Sequence, residues 1–141
     1  MKIFMFIIMF FSTSLWSSIL VDEHTSQINS AKYQITVEDK DNNLTAENIL
    51  QKQYPNEYGS ASAGFVQHAF WSSVTVKNIS QRNDVVLIFK NQKAGTDKID
   101  VYMYDNKQLI RTYRLGDMRD IKDRLLPSPF SAFFMELKAG H

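Results

Sequence analysis

In the stretch VYMYDNKQLIRTYR, Tyr102 and Tyr104 stand two residues apart. On a β-strand that spacing puts both side chains on one face. Tyr113 follows on the strand that would face them, with Arg111 and Arg114 beside it. Tyrosine rings so placed make a platform for the apolar C–H face of a pyranose, and a guanidinium can give paired hydrogen bonds to a polyol or a carboxylate. Tyr102, Tyr104, Tyr113, Arg111 and Arg114 are therefore the candidate ligand-binding residues. The competing reading of the tyrosines is a cross-strand cluster that stabilises a hairpin by about 0.2 to 1 kcal/mol per pair, and the balance favours it. For the arginines, with Asp117 and Arg124, the competing reading is a solvated surface.

A second aromatic group, His68, Phe70 and Trp71, could also stack on a sugar. Trp71 reads first as a core residue, because large aromatics dominate cores. Catalytic material is thin. Asp97, Asp100, Asp105 and Asp117 could supply the carboxylate pair of a glycosidase, which needs carboxyls about 5 or about 6.5 to 9.5 Å apart, a distance that sequence spacing does not fix. His24, His68 and His141 fall in the lead, in a loop and at the last position, poor material for a metal site or a triad. With no cysteine, thiolate nucleophiles and disulfides are excluded. No catalytic residue, metal ligand or cofactor is assigned, and the chain is not read as an enzyme.

The elements that must position these residues are strands. DKIDVYMYDNKQLIRTYRLGD is a hairpin: Val101 and Met103 face one way, Tyr102 and Tyr104 the other, and DNKQ turns the chain into Leu109 to Leu115. AKYQITVED alternates as a first strand, with Tyr33, Ile35 and Val37 on one face, and KDNN turns after it. LTAENILQKQY is a short helix with Thr45 as its N-cap, ending before Pro55. NEYGSASAGF is a Gly- and Ser-rich connection. In FWSSVTVKN, Val74 and Val76 alternate with Thr75 and Lys77, the pattern of a half-exposed strand, whereas Val85 to Phe89 is apolar throughout, the pattern of a strand covered on both faces. MRDIKDRLLPSP is a charged connection closed by Pro127 and Pro129, and FSAFFMEL is a last strand.

A chain of 141 residues, 44% hydrophobic, has room for one compact domain. Sixteen basic against fifteen acidic side chains leave a net charge of +1 without a basic block, so nucleic acid is excluded as a partner. MKIFMFIIMFFSTSLWSS has the layout of a secretory signal peptide: Lys2, an apolar run from Ile3 to Phe11, then small polar residues. The run is too short for a membrane span of about 20 residues, although an uncleaved anchor is the rival reading. The expected organisation is a signal peptide over 1–18, a flexible lead over 19–30 without periodicity, and a folded domain over 31–141.

Strands at this density, with one short helix and no βαβ rhythm, predict an all-β domain, a sandwich or jelly roll. LTAENIL, AFWSSVTVKN, VVLIFKN, the hairpin segment and LLPSPFSAFFMEL, in that order from about Tyr33 onward, resemble the type-two extracellular domain of bacterial seven-transmembrane receptors with diverse intracellular signalling modules. The resemblance implies a jelly-roll-like β-sandwich, similar to carbohydrate-binding modules, that senses a small polar ligand such as a carbohydrate. It also implies export to the periplasmic or extracellular face of the cytoplasmic membrane. In whole receptors such a domain precedes seven membrane helices and a kinase or cyclase output module. The family domain continues for one or two strands past MELKAGH, so its last strands are expected to be missing here. Ser72 and Ser73 stand where the family usually carries a larger apolar residue and an arginine. A secreted or surface β-sandwich adhesin or assembly protein without a signalling role is the alternative.

Overall fold

The computed structural model describes residues 18–51, 67–91, 96–120, 122 and 130–141. The apolar leader up to residue 17, the Gly- and Ser-rich connection, and Arg124, Pro127 and Pro129 lie outside these residues. Among these residues eight strands and one short α-helix follow in order: β1 (Ser18–Val21), β2 (Ile35–Asp39), α1 (Ala46–Gln51), β3 (Ala69–Ser73), β4 (Thr75–Asn78), β5 (Val85–Lys90), β6 (Ile99–Asp105), β7 (Gln108–Leu115) and β8 (Ala132–Leu137). They pair as four two-stranded ribbons, β1 with β4, β2 with β3, β5 with β8 and β6 with β7. The first is parallel and the other three antiparallel. The domain is all-β with one short helix, as the alternating patterns predict.

Local chemistry sets the boundaries. Asn29 caps a 3-10 turn over Ser30–Lys32 by accepting from the Ala31 N–H, so β2, the strand expected from Ala31, begins at Ile35. α1 starts where Thr45 and Asn48 exchange bonds: the Thr45 hydroxyl accepts from Asn48 N, and the Asn48 amide oxygen accepts from Thr45 N. This is the reciprocal capping arrangement with Asn in the third helical position. Between β6 and β7 only Asn106 and Lys107 intervene, both at positive φ, 47° and 68°. Two consecutive left-handed residues define the type I′ turn, whose twist matches that of a hairpin.

The core sits where β1, β4, β5 and β8 meet. Ile19, Val21 and Leu137 are buried, with Tyr33, Val74, Val76, Val85, Leu87 and Met135 packed on them. Three sequence expectations are corrected here. The segment read as a loose lead opens with β1, because Ile19 and Val21 alternate toward the core and its backbone pairs with β4. The run Val85 to Phe89 is not covered on both faces: Val86 and Ile88 are 53% and 56% exposed, since the ribbon buries only its Val85–Leu87 side. The single strand expected across Phe70 to Lys77 is divided at Val74, β3 joining β2 while β4 joins β1.

Asn78, fully buried, ties this core together. Its amide nitrogen donates to the carbonyls of Arg82 (2.8 Å) and Leu137 (3.5 Å), and its side-chain oxygen accepts from Ser80 N and Oγ. Its backbone N–H donates to His141 O and its carbonyl accepts from Gly140 N. A buried amide with this many partners is satisfied and geometrically fixed.

Candidate functional site

The β6–β7 hairpin presents two chemically different faces, and a bulge decides which residue goes where. From the turn, Asp105 pairs with Gln108 and Tyr104 with Leu109; the next pair is Met103 with Arg111, so Ile110 is an extra residue on β7. Beyond it Tyr102 lies opposite Thr112, Val101 opposite Tyr113 and Asp100 opposite Arg114. Tyr102, Tyr104, Thr112, Arg114 and Asp100 therefore share one face. Val101, Met103, Arg111 and Tyr113 share the other.

On the first face Tyr102 is 41% exposed and stacks on Trp71, with ring centroids 5.9 Å apart and planes 27° from parallel. Trp71 is half-buried rather than a core anchor. It is opposite Val37 across the β2–β3 ribbon, and its indole N–H donates to Asp39 Oδ2 at 3.2 Å. Asp39, 4% exposed, also accepts from Asn43 N and Leu44 N. Burial opposes its charge, but the bonds from Leu44, Asn43 and Trp71 outweigh that and hold its carboxyl below the ordinary value. Its oxygens are thus engaged within the chain, and its task is to fix the indole.

Tyr104 completes this face. Its hydroxyl donates to Glu47 Oε1 at 3.4 Å, linking the hairpin to the first turn of α1. Desolvation first, then the Glu47 carboxylate, raises the phenol above its ordinary value, so it is a neutral donor at physiological pH. Glu47 itself is held low by its own backbone N–H and the Thr45 hydroxyl. The assembled surface offers an exposed aromatic ring backed by a second ring, a phenol, an ionised carboxylate and, diagonal to Tyr102, the guanidinium-bearing Arg114. Asp100 is drawn to Arg119, 2.7 Å away.

Tyr113 and Arg111 serve a different purpose. The Tyr113 hydroxyl accepts from Arg111 Nη1 (3.1 Å) and donates to Phe134 O (2.9 Å). Its ring meets Phe133, which stacks on Phe89 at 4.8 Å. This pair fastens the hairpin to the β5–β8 ribbon. Of the five candidates, the structure brings together Tyr102, Tyr104 and Arg114 and separates Tyr113 and Arg111. Glu47 and Trp71 join the site. Glu47 carried no signal in the sequence, because only the fold brings α1 beside Tyr104.

The remaining chemistry is structural. His68 Nε2 lies 2.6 Å from Glu38 Oε1, across the β2–β3 ribbon, and its ring is 5.3 Å from Phe70. The hydroxyls of Thr36 and Ser72 are 3.0 Å apart on the same outward face, which is where one of the two small residues after the tryptophan is used. His141 lies 3.4 Å from Asp105. Among the described residues no group of three or more His, Asp or Glu side chains could hold a metal ion, and no helix is long and apolar enough to cross a membrane.

Residues 31–141 match the family model of the 7TMR-DISM extracellular 2 domain. The chain belongs to this family. As a 7TMR-DISM extracellular 2 domain it is an extracellular sensor domain, of the kind carried by seven-transmembrane receptors with diverse intracellular modules, and the family is not a catalytic one. No curated protein and no solved structure matches the chain significantly. The match begins after β1, yet Ile19 and Val21 of that strand are core residues, so in this 7TMR-DISM extracellular 2 domain the folded unit reaches further toward the N-terminus than the matched segment.

Proposed function

We propose that the chain is the extracytoplasmic ligand-reading domain of a bacterial membrane receptor, exported behind a cleaved leader, and that it takes a carbohydrate or a similar small polar ligand on the Tyr102 face. The observation that carries this is the Tyr102 ring, held flat by Trp71 at 5.9 Å while 41% exposed. A platform backed by a second ring does not have to be ordered when the ligand arrives, which lowers the entropic cost of binding. Beside it the Tyr104 hydroxyl, which donates to Glu47, keeps its lone pairs as an acceptor, Glu47 keeps a second carboxylate oxygen, and Arg114 supplies the donating cation, a set that can orient a polyol. Membership of the receptor family supports the sensing role, a seven-helix membrane segment and a kinase or cyclase output in the intact receptor. The jelly-roll arrangement implied by the resemblance is the frame in which we place this face.

Only two tryptophans occur in the sequence, Trp16 in the leader and Trp71. In the exported chain the fluorescence of Trp71 therefore reports directly on its neighbour Tyr102. Titration with a panel of neutral hexoses and hexuronates should give a saturable change for at least one sugar. Tyr102→Ala should abolish it while Tyr113→Ala, on the opposite face, leaves it intact. If no sugar gives a saturable change, or if Tyr102→Ala binds as well as the native chain, the carbohydrate reading fails.

A further inference from the structure

β5 is hydrogen-bonded to β8 alone among the described residues, and the phase of that ladder can be fixed. Asn91 N donates to Ser131 O at 2.9 Å, so Asn91 and Ser131 form a hydrogen-bonded pair. By antiparallel alternation Phe89–Phe133, Leu87–Met135 and Val85–Leu137 are hydrogen-bonded pairs too. Val86, Ile88 and Lys90 fall between them and turn their N–H and C=O groups away from β8. A second observation agrees: the Phe134 carbonyl, opposite Ile88, points outward on the β8 side, where it accepts from Tyr113. The outer edge of β8 is thus partly closed. That of β5 presents backbone donors and acceptors from the same residues, Val86 and Ile88, whose side chains are 53% and 56% exposed.

Open edges in native proteins are usually blunted by proline, a bulge or inward-pointing charge. β5 has none of these within Val85–Phe89, and its charges, Asp84 and Lys90, lie at opposite ends of the edge. That distribution is self-complementary. Laid antiparallel on its own copy about a two-fold axis at Leu87, the strand sets Asp84 opposite Lys90 at both ends and Val86 opposite Ile88 between them. The residues so paired, 84 with 90 and 86 with 88, are those with outward backbone groups, so every ladder bond is made. A parallel arrangement would set Asp84 against Asp84 and Lys90 against Lys90. Arg82 meets both Asp84 oxygens, Nε to Oδ1 at 3.0 Å and Nη2 to Oδ2 at 3.1 Å, but the two side chains stay 61% and 74% exposed, so the carboxylate keeps solvated lone pairs for a second cation.

We propose that β5 is a homodimerisation edge, pairing antiparallel with β5 of a second copy so that two β5–β8 ribbons form one four-stranded sheet. This does not rest on the ligand reading. Sedimentation of the full chain should show a concentration-dependent dimer. Lys90→Asp, which sets like charges opposite each other at both ends, should raise the dissociation constant about tenfold, and the double variant Asp84→Lys with Lys90→Asp should restore it. Ile88→Pro should abolish the dimer without removing a β5–β8 bond, because the Ile88 N–H points outward; if that variant fails to fold by circular dichroism, the charge exchange decides. A monomer at every accessible concentration overturns the proposal. So does a dimer that ignores Lys90→Asp, or one that the double exchange does not rescue.

Discussion

Asp39 shows how one side chain can prepare a site without touching a ligand. Three donors converge on it, and one of them is the indole that backs Tyr102. Its carboxyl is held below the ordinary value, so the folded state binds its proton less readily than the unfolded chain does. At neutral pH both states are ionised and the full stabilisation is present. As pH falls below about 4 the unfolded chain protonates first, and the stabilisation is lost as pH drops through the lower folded value. Asp39→Asn should therefore lower the urea midpoint at pH 7, with the gap from the native chain closing in acid. A gap that stays constant from neutral to strongly acidic pH would assign the residue a purely steric role. The sequence could not point to Asp39, since a lone aspartate before a KDNN turn looks like any turn residue until Trp71, 32 positions away, is brought over it.

The hairpin is the element on which reading and structure can be compared most closely. Its existence, its turn and the opposition of Val101 and Met103 to Tyr102 and Tyr104 were legible, because alternation and turn chemistry are local. Membership of the faces on β7 was not. A bulge-free hairpin closed by Asn106 and Lys107 would put Arg111 and Tyr113 on the Tyr102 face; the one extra residue, Ile110, exchanges them for Thr112 and Arg114. Deleting Ile110 would remove the bulge and leave each partner in place, with Met103 still opposite Arg111 and Ile99 still opposite Leu115, which is 3% exposed. The expected result is a domain that still unfolds cooperatively, with Arg111 and Tyr113 still on the face away from Tyr102, checked by chemical denaturation. Lys107, at φ 68°, occupies a conformation that costs an L-residue about 1 kcal/mol. Lys107→Gly should stabilise the domain by about that amount, visible as a higher thermal midpoint. The same locality explains α1, whose cap Thr45 was legible, and β1, which was not: four residues cannot announce a parallel partner 57 positions away.

At the scale of the whole molecule, Asn78 is where distant parts of the chain meet. Asn78→Ala removes the side-chain bonds to Arg82, Leu137 and Ser80 and strands buried polar groups, each costing about 1 to 3 kcal/mol. A loss of roughly 3 kcal/mol is expected from urea titration, with residues 137 to 141 gaining rapid hydrogen exchange. The architecture around this residue also has a mechanical meaning. β1 runs parallel to β4 with Ser18 beside Thr75 and Val21 beside Asn78, and residues 140 and 141 are bonded to Asn78 at the far end of the same ladder. A pull applied between Ser18 and His141 therefore loads the two strands from opposite ends, in shear, and is resisted by the β1–β4 bonds acting together rather than one at a time. Trp71 and Tyr102 belong to the β2–β3 and β6–β7 ribbons, so the aromatic platform contributes no hydrogen bond to the β1–β4 ladder that carries this load.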